Sequence, residues 1–431
     1  MHKKSNFKIV SYLLLSLFFL GITSCKSKST LQSPKKLTLS EGFKNPLGFY
    51  DNKPTFSWQL PVLEKVFSQS AYQIVVASHP NLLPDNADLW NSEKQKSAQS
   101  TWVNYEGAAL QSRQKVYWQV KYWNQDNEAS KWSEINHFEL GLLNNSDWKA
   151  QWIGLPTKEE GVLGSKENII HRPQYLRKGF ELSNQVASAR LYITAKGVFD
   201  VAINGKDVSD DVMPPGYTPY KKRIETITYD VSKFIESGQN TIGVEVAAGW
   251  HSGRLGWKKS YWSNTESPKI LCQLEITMKD GSKKMIISDE SWKGTTNGPI
   301  RISEIYDGET YDANLEMPNW TRNNFNDKNW KSVNAFPVSN GIRLEPKRHT
   351  TVKSKIELAS KEIIKKSDAV IFDLKQNMVG VPLLKIPMKK GQTLKIRFAE
   401  MLSPDGTFYT KNYRSALSTN YYTASKDGVI A

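Results

Sequence analysis

Two adjacent acids, Asp210 and Asp211, stand just ahead of an aromatic turn, Pro215-Gly-Tyr-Thr-Pro-Tyr220, in a chain of 431 residues. Further on, Trp250 and Trp257 bracket the block Gly249-Trp-His-Ser-Gly-Arg-Leu-Gly-Trp257. Loop carboxylates, with Asn204 nearby in sequence, offer the oxygen donors that a hard cation takes. Tyr217, Trp250 and Trp257 offer flat faces that stack on the apolar C–H face of a pyranose. Together these five residues point to carbohydrate binding. Each also has a structural reading: solvated acids, a turn that plugs the core, aromatics packed inside. His251, alone in its block, reads as structural.

Other chemistries find less support. The six His are dispersed, and no His/Cys/Asp cluster has zinc spacing. No Gly-rich phosphate loop, nucleophile elbow or EF-hand loop occurs. The 14 Trp, 18 Tyr and 16 Phe suit half-buried strands as well as sugars, so their abundance decides little. The formal charge is +15. Its basic residues fall in short runs such as Lys221-Lys222-Arg223 and Lys389-Lys390, without a nucleic-acid motif, and no nucleic-acid partner is expected. A solvated surface is the first reading of this charge and attraction to an acidic polysaccharide the second.

The elements that must position these residues are strands. Between 37 and 141, Pro54-Thr-Phe-Ser-Trp-Gln-Leu, Tyr72-Gln-Ile-Val-Val-Ala-Ser and Lys115-Val-Tyr-Trp-Gln-Val-Lys-Tyr-Trp recur at the rhythm of a fibronectin-like or immunoglobulin-like sandwich. The alternation in the last run puts Trp118, Val120 and Tyr122 on the core face. A second β-rich domain, 148–340, has a jelly-roll pattern, with Asn204-Gly205 as a hairpin turn. Its strand Ile270-Leu-Cys-Gln-Leu-Glu-Ile makes Cys272 a small buried core residue. Short helices are expected at Val231 to Ser237 and at Glu304 to Thr310. Strands at Ala369 to Leu374, Val381 to Ile386, Thr393 to Glu400 and Ser418 to Thr423 begin a third sandwich over 345–431, which four strands leave incomplete. The fold class is thus all-β, in tandem sandwiches.

The amino terminus reads as a targeting segment. Lys3, Lys4 and Lys8 precede an apolar run from Ile9 to Ile22, too short and too early for a mature membrane span. Ile22-Thr-Ser-Cys25 resembles the lipobox of bacterial lipoproteins. That resemblance implies a signal peptide over 1–24, lipidation of Cys25, a polar tether over 25–36, and a membrane partner through the lipid. The chain would then sit in a bacterial envelope, facing either periplasm or cell surface. With Cys25 lipidated, Cys272 has no intramolecular disulfide partner.

The run from Phe372 to Ala416, with Asp373, Gln376-Asn-Met-Val-Gly380, Arg397 to Glu400, Asp405-Gly406, Tyr409 and Asn412-Tyr-Arg-Ser-Ala416, closely resembles the segment before the catalytic barrel of bacterial α-L-rhamnosidases. Asn45-Pro-Leu-Gly48, Lys53-Pro-Thr-Phe-Ser-Trp-Gln59 and Tyr117 to Trp123 resemble the same family's opening. The resemblance implies a jelly roll of galactose-binding type, a concanavalin-like third sandwich, and an inverting hydrolase of terminal α-L-rhamnosides. It admits calcium in the jelly roll, and a rhamnose-containing glycan as partner. The family's acid lies in an Arg-Asp-Glu-Arg-like stretch of an (α/α)6 barrel. Neither that stretch nor a barrel's helical periodicity occurs here, so no catalytic residue is assigned, and a structural role is expected for Glu400. The expectation is an inactive front end of such an enzyme. The alternative is a surface lipoprotein that binds glycan without cleaving it.

Overall fold

The computed structural model describes residues 31–62, 66–156, 158–160, 169–255, 266–339, 341–366 and 369–430. Residues 35–140 form a sandwich of two sheets. One sheet runs in the order Leu47–Phe49, Asn136–Leu140, Lys115–Asn124, Gln69–Ala77, Trp90–Asn91. The other contains Lys35–Leu39, Thr55–Gln59 and Val103–Asn104. Trp58, Ile74, Val76, Trp118 and Phe138 fill the space between them. Trp118, Val120 and Tyr122 are all buried, as the period of two required. The Trp58 indole is brought inside at no polar cost, because its N–H donates to Gln69 Oε1 at 3.0 Å.

The second domain also packs two sheets face to face. A six-stranded sheet has the order Lys206–Asp207, Val198–Ile203, Gly238–Ala247, Gln174–Leu182, Lys293–Thr295, Lys331–Ser332. Opposite it, Trp152–Gly154, Lys269–Met278, Val186–Lys196 and Arg223–Asp230 lie side by side. Leu176, Phe199, Val244, Ile193 and Leu274 interdigitate between the sheets. The Asn204-Gly205 turn is present, with φ of 52° and 79°, left-handed at both positions as a type I′ hairpin needs. Cys272 is buried in its strand. Two buried-edge ion pairs tie this domain to the first: Arg113 forks onto Glu275 at 2.8 and 2.7 Å, and Arg190 onto Glu139 at 2.7 and 2.9 Å.

The structure departs from the sequence expectations in four places. The turn after Asp230 is only a single 3-10 turn, Ser232–Phe234. The segment expected as a helix at Glu304 to Thr310 is instead a hairpin, Ile300–Glu304 with Gly308–Asp312. Its second strand pairs in parallel with Thr419–Thr423, so its backbone groups find partners outside any helix, and Gly308 takes a φ of 102°. Val381 to Ile386 does not form a strand along its length. Pro382 lacks a donor, and pairing starts only at Ile386–Met388, against Gly428–Ile430. Finally, Arg343–Pro346 adds in parallel to Arg223–Asp230, so the jelly roll reaches past residue 340.

The last sheet has the order Ile300–Glu304, Gly308–Asp312, Thr419–Thr423, Thr393–Arg397. Two of its four strands therefore come from the preceding block. Among the described residues, Val370, Phe372, Val381, Leu383 and Val429 of the last segment are exposed.

One ion pair holds the junction. Arg254, at the end of the short helix Gly249–Ser252, is 4% exposed at its side chain, as is Asp307 in the hairpin turn. Arg254 Nε donates to Asp307 Oδ2 at 2.8 Å and Nη2 to Oδ1. The same Nη2 donates to the Ser415 carbonyl at 2.9 Å, and Leu417 N donates to Asp307 Oδ1 at 3.3 Å. Removing one member of a buried pair leaves the other charge uncompensated. Arg254→Ala is expected to destabilise the junction by about 3–5 kcal/mol. Limited proteolysis should then release 369–430 well before it cuts the two complete sandwiches; unchanged cleavage kinetics would contradict this.

Candidate functional site: an acidic cleft on the jelly roll

The six-stranded sheet shows its second face to solvent. Phe199, Val201 and Ile203 point into the core, so Asp200 and Ala202 point out. In the neighbouring strand Val244 and Val246 point in, and Gly243 and Glu245 point out. Register places Asp200 opposite Glu245, and Glu245 opposite Tyr175. Two carboxylates and a phenol thus lie in one row across three strands.

A wall covers part of this face. Arg177, buried at 5% exposure, donates to the carbonyls of Trp320 and Arg322, each at 2.9 Å, and pairs with Asp327. It fixes the Trp320 ring edge-on to Tyr175, with centroids 5.5 Å apart. Gly243 makes the approach feasible: a Cβ there would stand 2.7 Å from Trp320 Cζ3. Between wall and sheet lies an open cavity of about 370 Å³, lined by Asp200, Asp207, Ser209, Tyr229, Glu245 and Trp320 among others.

The acids in it are strained electrostatically. Burial pushes the Glu245 carboxyl up to about 8, and Asp200 and Glu309 add to the shift. Asp200 is raised by burial and by Asp207, and Glu309 by burial. At neutral pH Glu245 is therefore mostly protonated. A neutral carboxyl donates as well as accepts, and Asp200 beside it accepts. With an indole wall, this is a donor and acceptor array suited to the hydroxyls of a sugar.

The residues singled out from sequence only border this cleft. Asp211 reaches it indirectly: its Oδ2 accepts from the Tyr229 hydroxyl at 2.7 Å, and Tyr229 lines the cavity. Asp210 is exposed and pairs with Lys353, whose Nζ also lies 3.6 Å from Asp211 Oδ1. Tyr217 is 54% exposed and stands edge-on to Tyr220, which in turn meets His251 at 4.9 Å. Burial drives the His251 imidazole down to about 3, so it is neutral, in keeping with a structural role. Trp250 is half-buried in the Gly249–Ser252 helix. Trp257 and Cys25 lie outside the described residues. The Lys353 ammonium thus answers both the Asp210 and the Asp211 carboxylates. Among the described residues no group of three or more His, Cys, Asp or Glu is arranged to hold a metal.

Three family models match along the chain, in order. The Rha78A-like N-terminal immunoglobulin domain matches residues 34–144, the α-L-rhamnosidase N-terminal domain 184–355, and the bacterial α-L-rhamnosidase concanavalin-like domain 363–429. The chain carries the N-terminal domains of the bacterial α-L-rhamnosidase family. An α-L-rhamnosidase of Formosa agariphila is 78% identical over 427 residues, which are 99% of this chain and 46% of that protein. The chain therefore spans about half the length of this relative. The structure of the α-L-rhamnosidase from Dictyoglumus thermophilum superposes with a TM-score of 0.83 at 32% identity, over 93% of this chain and 45% of that one. That of the Streptomyces avermitilis α-L-rhamnosidase, complexed with L-rhamnose, gives 0.85 at 25% identity, over 92% and 54%. The all-β tandem architecture is thus that of the rhamnosidase N-terminal region.

The sequence carries a sign of the cleft in strand phase rather than in a motif. Val198-Phe-Asp-Val-Ala-Ile203 and Ile242-Gly-Val-Glu-Val-Ala247 each place an acid on the outward phase of an apolar strand. Linkage gives a test. Because the Glu245 carboxyl is raised above its ordinary 4.5, the folded state keeps its full stability below that value and loses some as pH rises through about 8. Glu245→Gln removes that loss. In urea unfolding the variant should match the parent near about pH 4 and exceed it above about pH 8, by up to about 4 kcal/mol. Parallel stability curves across the whole range would be the contrary result.

Proposed function

We propose that this chain forms the front end of an α-L-rhamnosidase acting on terminal α-L-rhamnosides of glycans, and that its own part is to hold glycan rather than to cut it. The observation that carries the reading is the succession of three rhamnosidase domains in family order, together with a sugar-sized polar cleft on the middle one. In the cleft, Glu245 and Asp200 would pair with ring hydroxyls, and Trp320 and Tyr229 would bound the pyranose. Inversion is the stereochemistry that the family resemblance implies. The barrel that carries the family's acid has no counterpart among the described residues. A second reading, a glycan-binding surface lipoprotein that never acts as a hydrolase, rests on the same cleft.

Purified chain is expected to leave an aryl α-L-rhamnoside intact and to bind L-rhamnose weakly, with binding reduced about tenfold in Trp320→Ala. Chelator should leave the titration unchanged, because Lys353 rather than a metal answers the Asp210 and Asp211 charges. Turnover that disappears in Glu245→Gln would reassign the cleft as a catalytic site.

We infer further that the chain is a lipoprotein held in a bacterial envelope through Cys25. The support is the order of positive segment, apolar run, small residues and cysteine. Expressed in a diderm host, the parent should partition with membranes and Cys25→Ala should not; equal partitioning would remove the anchor.

A further inference from the structure

The outer face of the first sandwich carries a ladder of cations and indoles that the rhamnosidase reading does not use. Along Lys115–Asn124, the residues alternating with the core set are Tyr117, Gln119, Lys121 and Trp123. Lys121 Nζ lies 4.4 Å from the Trp132 ring centroid and 5.1 Å from that of Trp123. Lys94 Nζ lies 4.4 Å from the Trp123 centroid and donates to Asn127 Oδ1 at 2.6 Å. All of these fall within the range at which an ammonium is drawn to a ring face.

The ladder's ammonium groups are not paired with a carboxylate among the described residues, although Glu93 borders them through Asn91. Among the described residues, Lys121 Nζ has no hydrogen bond and no carboxylate within ion-pair distance. Asp85 and Glu93 act on it only from further off, and burial against the rings together with Lys94 shifts its pKa downward. Two ammonium groups are therefore held against the same Trp123 ring, near enough for Lys94 to act on Lys121, where most exposed lysines are free to swing or to pair. Such a partly desolvated cation gains more from an incoming anion than a solvated one does. Beside it, Gln73, opposite Lys121 in register, donates to Asn91 Oδ1 at 3.0 Å, which leaves the Gln73 amide oxygen at the same surface to accept from a hydroxyl.

We propose that this face of the immunoglobulin-like domain binds an acidic unit of a glycan, a pyranose bearing a carboxylate or a sulfate, with the anion on Lys121 and Lys94 and the ring against Trp132 and Trp123. The proposal stands independently of the cleft. It also fits it: Asp200 and Asp207, beside the mostly neutral Glu245, make the cleft unfavourable for an anionic sugar, so an acidic unit of a polysaccharide needs a different place to rest. Aromatic rings and neutral amides interleaved with the cations favour a sugar over a phospholipid surface, which would want a broader field of basic residues.

The test is calorimetric titration of the full chain, at low ionic strength, with three oligosaccharides of equal length: an oligogalacturonate, a sulfated galactan fragment and an uncharged cello-oligosaccharide. One or both acidic ligands should bind, the uncharged one should not, and added salt should weaken binding. Which acidic ligand binds assigns carboxylate or sulfate. The double variant Lys94→Gln/Lys121→Gln should lose at least about tenfold in affinity with an unchanged melting temperature. If it folds poorly, Trp132→Ala, which leaves Lys121 on Trp123, should give the same loss. Equal binding of the neutral oligosaccharide, affinity unmoved by these variants, no binding of either acidic ligand, or binding seen only with vesicles of anionic lipid would each overturn the proposal.

Discussion

A single buried guanidinium, Arg254, sets the geometry of the chain's second half. Once it is out of water its charge must be answered locally, and its planar fork reaches only a few acceptors at once. Asp307 takes two of its donors and the Ser415 carbonyl shares one. Three segments far apart in sequence are thereby brought to one point: the end of the jelly-roll helix, the hairpin turn and the loop that leads into Thr419–Thr423. A second acid is drawn in as well. Glu304 Oε2 accepts from Arg254 N at 2.8 Å, but its buried Oε1 finds no hydrogen-bond partner among the described residues. One arginine cannot satisfy two carboxylates in that space, and burial with Asp307 nearby lifts Glu304 to about 7.

The cleft inherits this arrangement. The hairpin that Asp307 anchors carries Glu309, and Glu309 is one of the two acids that hold Glu245 in its protonated form. A second arginine does equivalent work on the other side. Arg177 grips the carbonyls around Trp320 and so fixes the aromatic wall. Neither arginine touches the cavity itself. Both act by deciding where backbone goes, and the site's proton affinity and its shape follow from those two placements.

This explains what sequence could and could not tell. Strands with a clear period of two, such as Lys115–Asn124 and Val198–Ile203, are legible because burial on one face enforces the alternation. The Asn204-Gly205 turn was legible because few residues accept two successive left-handed conformations. The hairpin at 300–312 was not, since its second strand is completed by residues more than a hundred positions later. The surroundings of the candidate binding residues are hidden from sequence for a related reason. Asp210 and Asp211 look available in one dimension, yet Lys353, brought alongside by chain return, consumes them. Asp200 and Glu245 look unremarkable in sequence, because what distinguishes them is cross-strand register. Trp320 gained its role from Arg177 and from the missing side chain at Gly243, neither of which is its neighbour in sequence.

Net charge illustrates the same point at larger scale. A value of +15 suggests a uniformly basic surface. The fold instead separates the signs. Acids concentrate on the outward face of the jelly roll, where burial and mutual repulsion neutralise one of them, while the first sandwich gathers ammonium groups onto indoles. Coulomb interaction between the two is weak across screened distances beyond about 10 Å, so each surface sets its own preference. A polymer that alternates neutral and acidic sugars would meet a neutral-selecting cleft and an anion-selecting face on one chain. Charge of this kind supplies little binding energy in water, but it discriminates against the wrong unit at each place, because the penalty for a like charge in a partly buried pocket is not screened away.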